Sequence, residues 1–361
     1  MSATAQATHR PEVTDVVIVG AGPTGLTAAL RLAELGVPHL IVDAAEGPSQ
    51  TSKAALVHAS TLEILAELDV GDELVEAGRK LHRIVLVDRS NVLARVELTG
   101  IPSRYPFALS VPQSTTEEVL LRRLAGLGGS VRREHRVDAL RHEGDGYVVA
   151  GTMETERGAV PMEVRARYVI GADGSRSVVR SAIGLDFPGE TYPSQFVLAD
   201  AELTAPPSAD DEATITMSAH GVTVIGRLPS GNYRIIATVD PESEVPEAPD
   251  KAYMDDILGE RGIGAQLAAP PEWSSRFRIH HRVADRFRVG GVFLAGDAAH
   301  VHSPAARSLR RVAVGRLSRF RPIRDRVTMW ITGLKRSPLR SNLPAMAASQ
   351  VDLERAAAPR S

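Results

Sequence analysis

The stretch Asp15-Val-Val-Ile-Val-Gly20-Ala-Gly22-Pro-Thr-Gly25-Leu-Thr-Ala-Ala-Leu-Arg-Leu-Ala-Glu-Leu35 decides the fold. Val16 to Val19 is a short run of branched apolar residues, the pattern of a buried strand. Gly20, Gly22 and Gly25 fit the spacing G-x-G-x-x-G, and Leu26 to Leu35 places apolar residues at helical intervals. Strand, glycine turn and helix in this order open a dinucleotide-binding unit. Gly20 permits the tight turn, Gly22 lets the backbone approach a pyrophosphate, and Gly25 lets the helix pack closely on the strand. A diphosphate would rest on amides at the helix start, where the peptide dipoles sum to roughly half a positive charge. A second strand, His39 to Val42, ends at Asp43, eighteen residues beyond Gly25. A carboxylate at that distance accepts hydrogen bonds from an adenosine ribose and favours a free ribose over a phosphorylated one. The motif does not separate FAD from NAD, so that choice rests on the rest of the chain.

The 361 residues allow two or three packed lobes, and 43% hydrophobic with 24% charged residues is the composition of a chain that folds in water. There is no cysteine, which excludes disulfides and thiolate metal sites. Residues 1–11 lack the apolar core of a signal peptide, and the longest apolar stretch, Val16 to Leu30, is interrupted by glycines and too short to cross a bilayer. A cytoplasmic protein without a membrane span is expected. Charge is unevenly spread: residues 305–361 carry thirteen Lys and Arg against three Asp and Glu, a net +10 that leaves −12 for the remainder. A basic tail can serve nucleic acid, but one Trp, one Phe and no recognisable binding motif argue against such a partner. His300 and His302 stand two apart on a loop without a third ligand nearby, so no metal site is expected.

Four further stretches bear on the cofactor. Tyr168-Val-Ile-Gly-Ala-Asp173-Gly174-Ser-Arg176-Ser-Val-Val-Arg180 ends an apolar strand in a turn followed by a helical turn. Val292 to Ala295 is another buried strand, broken by Gly296-Asp297 and followed by Ser303-Pro304-Ala305. Pro112-Gln113-Ser-Thr-Thr-Glu117 is a helix start, and Ser52-Lys53-Ala-Ala-Leu-Val-His58-Ala-Ser60-Thr-Leu-Glu63 follows the second strand. These resemble, in family order across residues 12–304, the DG motif, the GD motif and two accompanying segments of class A FAD-dependent monooxygenases, the para-hydroxybenzoate hydroxylase-like aromatic and polyketide hydroxylases.

The resemblance implies an α/β fold: a Rossmann-like FAD-binding domain of the GR2 type, a discontinuous antiparallel-sheet substrate domain and a truncated helical C-terminal part. It implies FAD extended across the first domain, with Gly20, Gly22, Gly25 and Asp43 at the adenosine end and Lys53 in the segment that follows. Asp173, Gly174 and Arg176 would organise the FAD and NAD(P)H regions. Gly296, Asp297 and Pro304 would lie toward the flavin, Asp297 accepting from the ribityl chain or hydroxyls near the pyrophosphate, with the Gln113 amide reaching the same region. NADPH or NADH and O2 are the implied co-substrates, and a flavin hydroperoxide would hydroxylate an aromatic or polyketide-like small molecule. No catalytic side chain is identified; Tyr192, His220 and Tyr233 are candidates only because each can hydrogen-bond a phenol.

Residues 196–203, 213–218, 221–229 and 232–240 read as short strands joined by turns, and a hairpin at 82–98 is expected to join their sheet. The expected division is 12–80, 101–186 and 285–305 for the FAD-binding domain, 81–100 and 187–284 for the substrate domain, and 306–361 for a basic helical remnant. Such a sheet laid over the flavin end would form an apolar pocket and keep water from a reactive centre.

The chain also departs from the family it resembles. Ala44 follows Asp43 and Ser60 precedes Thr61-Leu-Glu63 where relatives often carry arginine. After Ala305, relatives continue into a glycine-rich turn and a long helix whose amino end faces the flavin, whereas Arg321 to Leu334 resembles a helix from near the end of their monooxygenase domain. An in-frame loss between about Pro304 and Ala306 is expected to impair the reaction. Two other readings stay open: a non-catalytic FAD-binding remnant or interaction module, and another kind of FAD oxidoreductase.

Overall fold

The structure is a computed structural model and describes residues 12–49, 55–88 and 91–301. Ser52, Lys53, His302, Pro304 and the expected remnant at 306–361 lie outside the described residues. In chain order the first elements are β1 (Glu12–Val19), α1 (Pro23–Glu34), β2 (His39–Val42), β3 (Leu56–Val57), α2 (Ala59–Ala66), α3 (Gly71–Ala77), β4 (Arg79–Leu81), β5 (Arg83–Asp88) and β6 (Asn91–Glu97). There follow β7 (Ala108–Ser110), α4 (Gln113–Gly126), β8 (Val131–Arg132), β9 (His135–Glu143), β10 (Gly146–Met153), β11 (Val160–Gly171) and α5 (Val178–Ala182). The last third contributes β12 (Gly189–Ala201), β13 (Glu212–Ser218), β14 (Gly221–Arg227), β15 (Tyr233–Val239), α6 (Lys251–Glu260), β16 (Trp273–Val283), β17 (Arg288–Val289), β18 (Val292–Leu294), a 3-10 turn at Gly296–Ala298 and β19 (His300–Val301).

β1 stands inside a sheet of order β17-β18-β11-β1-β2-β8, to which β10 and β9 add beside β11. Its inner strands run parallel, and the register pairs Leu294 with Gly171, Gly171 with Val19, Val19 with Val42 and Val42 with Arg132. The carboxyl ends of five strands therefore lie in one row. Val16 to Val19 are all buried because both faces of the sheet are covered, which is why this strand is a continuous apolar run without alternation. Leu26, Ala29 and Leu30 of α1 pack on one face together with α2, α3 and α4; Val17, Val19, Val169, Val179 and Val292 form the core on the other. Pro23 sits in the first turn of α1, where its missing N–H leaves no helical bond unmade.

The second large sheet has the order β19-β16-β12-β15-β14-β13-β5-β6. Val197, Ala199, Ala201, Ile225, Ile235 and Ala237 form one face and bury Met254, Ile257 and Leu258 of α6. Ile84, Leu86, Ile215 and Met217 point the other way and meet Ala108 of β7, so this face abuts the small sheet β3-β7-β4.

The sheet differs from an all-antiparallel one. β5 joins it through a parallel pairing with β13, Ile84 opposite Ala213 and Leu86 opposite Ile215, since the hairpin enters from the first domain in the same direction as β13. The 285–305 segment also divides: β18 belongs to the first sheet, but His300 and Val301 pair with Val283 and Arg282 of β16 in the second. A further difference is the length of β12, which begins at Gly189 and carries an irregularity between Thr191 and Gln195.

Candidate dinucleotide site

The row of strand ends is where the glycines gather. Gly20 has φ +100° and donates to Val42 O at 2.8 Å, so the chain leaves β1 in a conformation that side chains disfavour. A Cβ on Gly20 would stand 2.4 Å from Ala172 O, and one on Gly25 would stand 1.9 Å from Gly20 O. A Cβ on Gly22 would meet nothing within 4 Å. Gly20 and Gly25 are thus required by the packing of the protein itself, whereas Gly22 faces open space that a ligand can occupy. No side chain caps α1, which leaves its first-turn amides available to an anion.

Asp43 follows β2 and is held by the turn it serves. Its Oδ2 accepts from Ala21 N at 2.6 Å and its Oδ1 from Ala45 N at 2.8 Å. Beside it a cleft of about 720 Å³ is lined by Ala21, Gly22, the 45–49 loop, Glu117 and Arg133. Glu117 is buried; its two oxygens accept from Ser49 N at 2.9 Å and Gln113 Nε2 at 2.7 Å, which pins the loop to the start of α4. The Gln113 amide nitrogen is therefore engaged with Glu117 beside this cleft, drawn there by a buried carboxylate that needs a donor.

The DG segment meets the glycine turn from the next strand. Asp173 accepts from Ser177 Oγ at 2.5 Å, Val178 N at 2.7 Å and Val179 N at 3.2 Å, so its carboxylate closes the loop onto the start of α5. Gly174 supplies φ +78° for that loop. The two arginines of the segment part company, because α5 begins only at Val178. Arg176 is exposed ahead of the helix, and Arg180 is buried. Arg180 donates to Ser175 O at 2.8 Å and Ala298 O at 3.0 Å, and its guanidinium lies 3.9 Å from the Phe187 ring centroid. Burial draws its pKa down from the ordinary guanidinium value, with Asp173 acting in the opposite sense.

Arg180 thus ties the DG loop to the GD loop, and the GD loop in turn touches the first glycine turn. Gly296 has φ +57°, and a Cβ there would stand 2.5 Å from Thr24 Oγ1. Asp297 is exposed on the 3-10 turn beside it. Gly20, Gly22, Gly25, Asp43, Asp173, Gly174, Gly296 and Asp297 accordingly come from segments far apart in sequence to four adjoining loops, those that follow β1, β2, β11 and β18.

Tyr192, His220 and Tyr233 do not converge. His220 is exposed in the turn between β13 and β14, Tyr192 lies at the β12 irregularity, and Tyr233 is buried on the α6 face of the second sheet. Among the described residues no group of three or more His, Cys, Asp or Glu is arranged to hold a metal ion. Sequence reasoning missed Arg133. Its approach to Asp43 follows from the pairing of Val42 with Arg132, and nothing local to either residue announces it.

These features suit an extended dinucleotide: an uncapped helix start, a glycine that opens space above it, and a carboxylate and cleft at the second strand. Residues 13–307 match the family model described as an FAD binding domain. The chain belongs to this FAD-binding family. FAD is therefore the dinucleotide that the glycine turn alone leaves open. The 6-methylpretetramide 4-monooxygenase of Streptomyces rimosus is 34% identical over 295 residues, covering 81% of this chain and 52% of that protein. The chain spans about half the length of the curated relatives it matches. Among solved structures, the flavin-dependent monooxygenase PieE, described in complex with FAD and substrate, superimposes with a TM-score of 0.72 at 25% identity, covering 82% of this chain and 55% of that one. OxyS anhydrotetracycline hydroxylase from Streptomyces rimosus gives a TM-score of 0.69 at 27% identity, covering 90% of this chain and 76% of that one. Among the described residues of this FAD-binding chain, no helix is long and apolar enough to cross a membrane.

Proposed function

We propose that this chain is an FAD-dependent monooxygenase that uses NAD(P)H and O2 to hydroxylate an aromatic or polyketide-like small molecule. The observation that carries the reading is the convergence of three loops, from the ends of β1, β11 and β18, on one row of strand ends beside the Asp43 cleft. Relatives named as 6-methylpretetramide, anhydrotetracycline, rifampicin and pentachlorophenol monooxygenases support it.

FAD would supply the redox chemistry, accepting two electrons from NAD(P)H and enabling one oxygen atom of O2 to enter the substrate while the other leaves as water. The chain's own residues would bind, orient and shield. Gly22 gives the diphosphate its close approach to the α1 amides, and Asp43 accepts from the adenosine ribose. Asp173 and Arg180 hold the DG and GD loops in register. The apolar face of the second sheet against β7 would exclude water from the reacting end. The compartment that goes with this reading is the cytoplasm, which supplies NAD(P)H.

The junction after Ala305 belongs to the same reading. Loss of a helix terminus that would favour negative charge on the bound cofactor would remove up to ~2 kcal/mol of stabilisation, so turnover would fall further than affinity.

The test is the visible spectrum of the chain purified by size exclusion, with and without added FAD, followed by NADH or NADPH in air. A bound-flavin spectrum that bleaches while NAD(P)H is in excess is expected, with hydrogen peroxide released when no substrate is added and hydroxylated product formed when a phenol is supplied; a colourless protein that ignores FAD would sink the reading. Insertion of a family-like glycine turn and helix after Ala305 should raise hydroxylation relative to peroxide release, and no change in that ratio would remove the junction account alone.

A further inference from the structure

We propose that Arg133 is a binding residue for the adenosine half of the dinucleotide, supplying the cation of an otherwise acidic cleft. The proposal rests on the FAD-site reading and adds to it a residue from a different strand.

Three carboxylates, Asp43, Glu46 and Glu117, line the cleft, and Arg133 is the one cation among its described lining residues. A dinucleotide brings a diphosphate with about two negative charges into these surroundings, and like charges at close range raise the energy of the complex. The amides at the α1 start offset part of that repulsion. Arg133, which lines the same cleft, is placed to offset more of it.

Its bonding within the protein is incomplete. Nη1 donates to Gly47 O at 3.2 Å and stands 3.7 Å from Asp43 Oδ1, longer than the 2.7–2.9 Å typical of a direct charge-assisted hydrogen bond. Nη2 is enclosed and has no hydrogen-bond partner among the described residues. The side chain is 18% exposed, so it is not a freely solvated surface arginine. An enclosed donor without an acceptor is costly, and because Nη2 itself is closed off, a ligand meets Arg133 through the part of the side chain that lines the cleft, where a phosphate or ribose oxygen or an adenine face would offset the charge.

The backbone explains the placement. β2 and β8 are parallel, Val42 pairs with Arg132, Asp43 N donates to Arg132 O at 2.9 Å, and His135 N donates to Asp43 O at 2.8 Å. Arg133 is therefore held beside Asp43 by strand pairing, so that the ribose-binding carboxylate and the cation line the same cleft. Through Gly47 it also steadies the 45–49 loop, so a test has to separate the charge from the loop anchor.

The experiment is calorimetric titration of ADP and FAD into the purified full-length chain, for wild type, Arg133→Met and Arg133→Gln, at low and high salt, with melting curves for each protein. Loss of a charge-assisted contact corresponds to about a tenfold or greater weakening. Arg133→Met is expected to weaken ADP and FAD by the same factor, because the contact lies in the half they share. Arg133→Gln keeps an amide donor for Gly47 O but carries no charge; it should be as weak as Arg133→Met, and both deficits should narrow at high salt. It carries the test if Arg133→Met melts early. Wild-type affinity in Arg133→Gln would reduce the residue to a loop anchor and overturn the proposal, as would an FAD deficit without a matching ADP deficit. If wild type binds neither nucleotide, the FAD-site reading falls and this proposal with it; if it binds both and the variants bind equally well, only the proposal falls.

Discussion

At the carboxyl ends of the first sheet the chain brings backbones together by leaving side chains out, whereas the second sheet is built from side chains that fill it. Gly20, Gly25 and Gly296 each stand where one added carbon would collide with Ala172, Gly20 or Thr24. In the second sheet Val197, Ala199, Ile225 and Ile235 pack against Met254 and Leu258, and many apolar exchanges of similar volume would serve there. A region shaped by absence tolerates few residues at each position and so leaves a motif. A region shaped by filling constrains volume and leaves only a pattern.

The sharpest way to break this comparison is within the glycine turn itself. Gly25→Ala puts a Cβ against backbone that cannot move without opening the β1–α1 turn, and a loss of about 3 kcal/mol or more is expected, with FAD binding lost alongside. Gly22→Ala meets nothing in the protein, so stability should stay within about 0.5 kcal/mol while FAD affinity falls at least tenfold. Thermal melts and flavin titrations of the two variants should therefore separate. If Gly22→Ala melted as early as Gly25→Ala, the distinction between a packing glycine and a ligand-facing glycine would be lost.

The next largest effect belongs to the second sheet. Arg261 is 3% exposed, and its guanidinium donates to Val222 O and Thr223 Oγ1, each at 2.7 Å, and also to His220 O and Thr238 O. Burial lowers its pKa from a starting value so far above neutrality that it stays charged. Arg261→Met would leave these acceptors without their donor and cost about 2–4 kcal/mol. Nucleotide affinity should not change, because the cluster lies on β14, β15 and the end of α6, away from the row of strand ends. A variant that lost stability and FAD affinity in proportion would show that the two sheets do not keep separate tasks.

The same contrast explains what could be read from the sequence. The glycine turn, Asp43 and the DG and GD loops were legible because each needs particular residues at fixed spacing. The strands of the second sheet were legible as alternating runs ending in turns such as Ser230-Gly231. β9 and β10 were not, because His135 to Glu143 is largely exposed and shows no clean alternation. The parallel pairing of β5 with β13 was also hidden, since it joins residues more than a hundred positions apart and depends on how the hairpin leaves the first sheet. Arg133 was invisible for a related reason: its meaning comes from the β2–β8 register and not from its neighbours in the chain.

His58 gives the smallest effect and tests the comparison from the other side, because it places an enclosed polar atom in the first region. It precedes α2, its side chain makes no cap hydrogen bond, and Nδ1 is enclosed without a partner among the described residues. Desolvation lowers its pKa below 6.5. Between the folded and unfolded values the unfolded chain binds the proton more readily, so stability is fully present above about pH 6.5 and declines as pH falls below it. His58→Asn cannot titrate there and suits a helix start. Its melting temperature should fall less between pH 7 and pH 5 than that of the wild-type chain. Parallel curves for the two proteins would mean that protonation of His58 costs the fold nothing, and that the first region gives under a buried charge where it does not give under an added carbon.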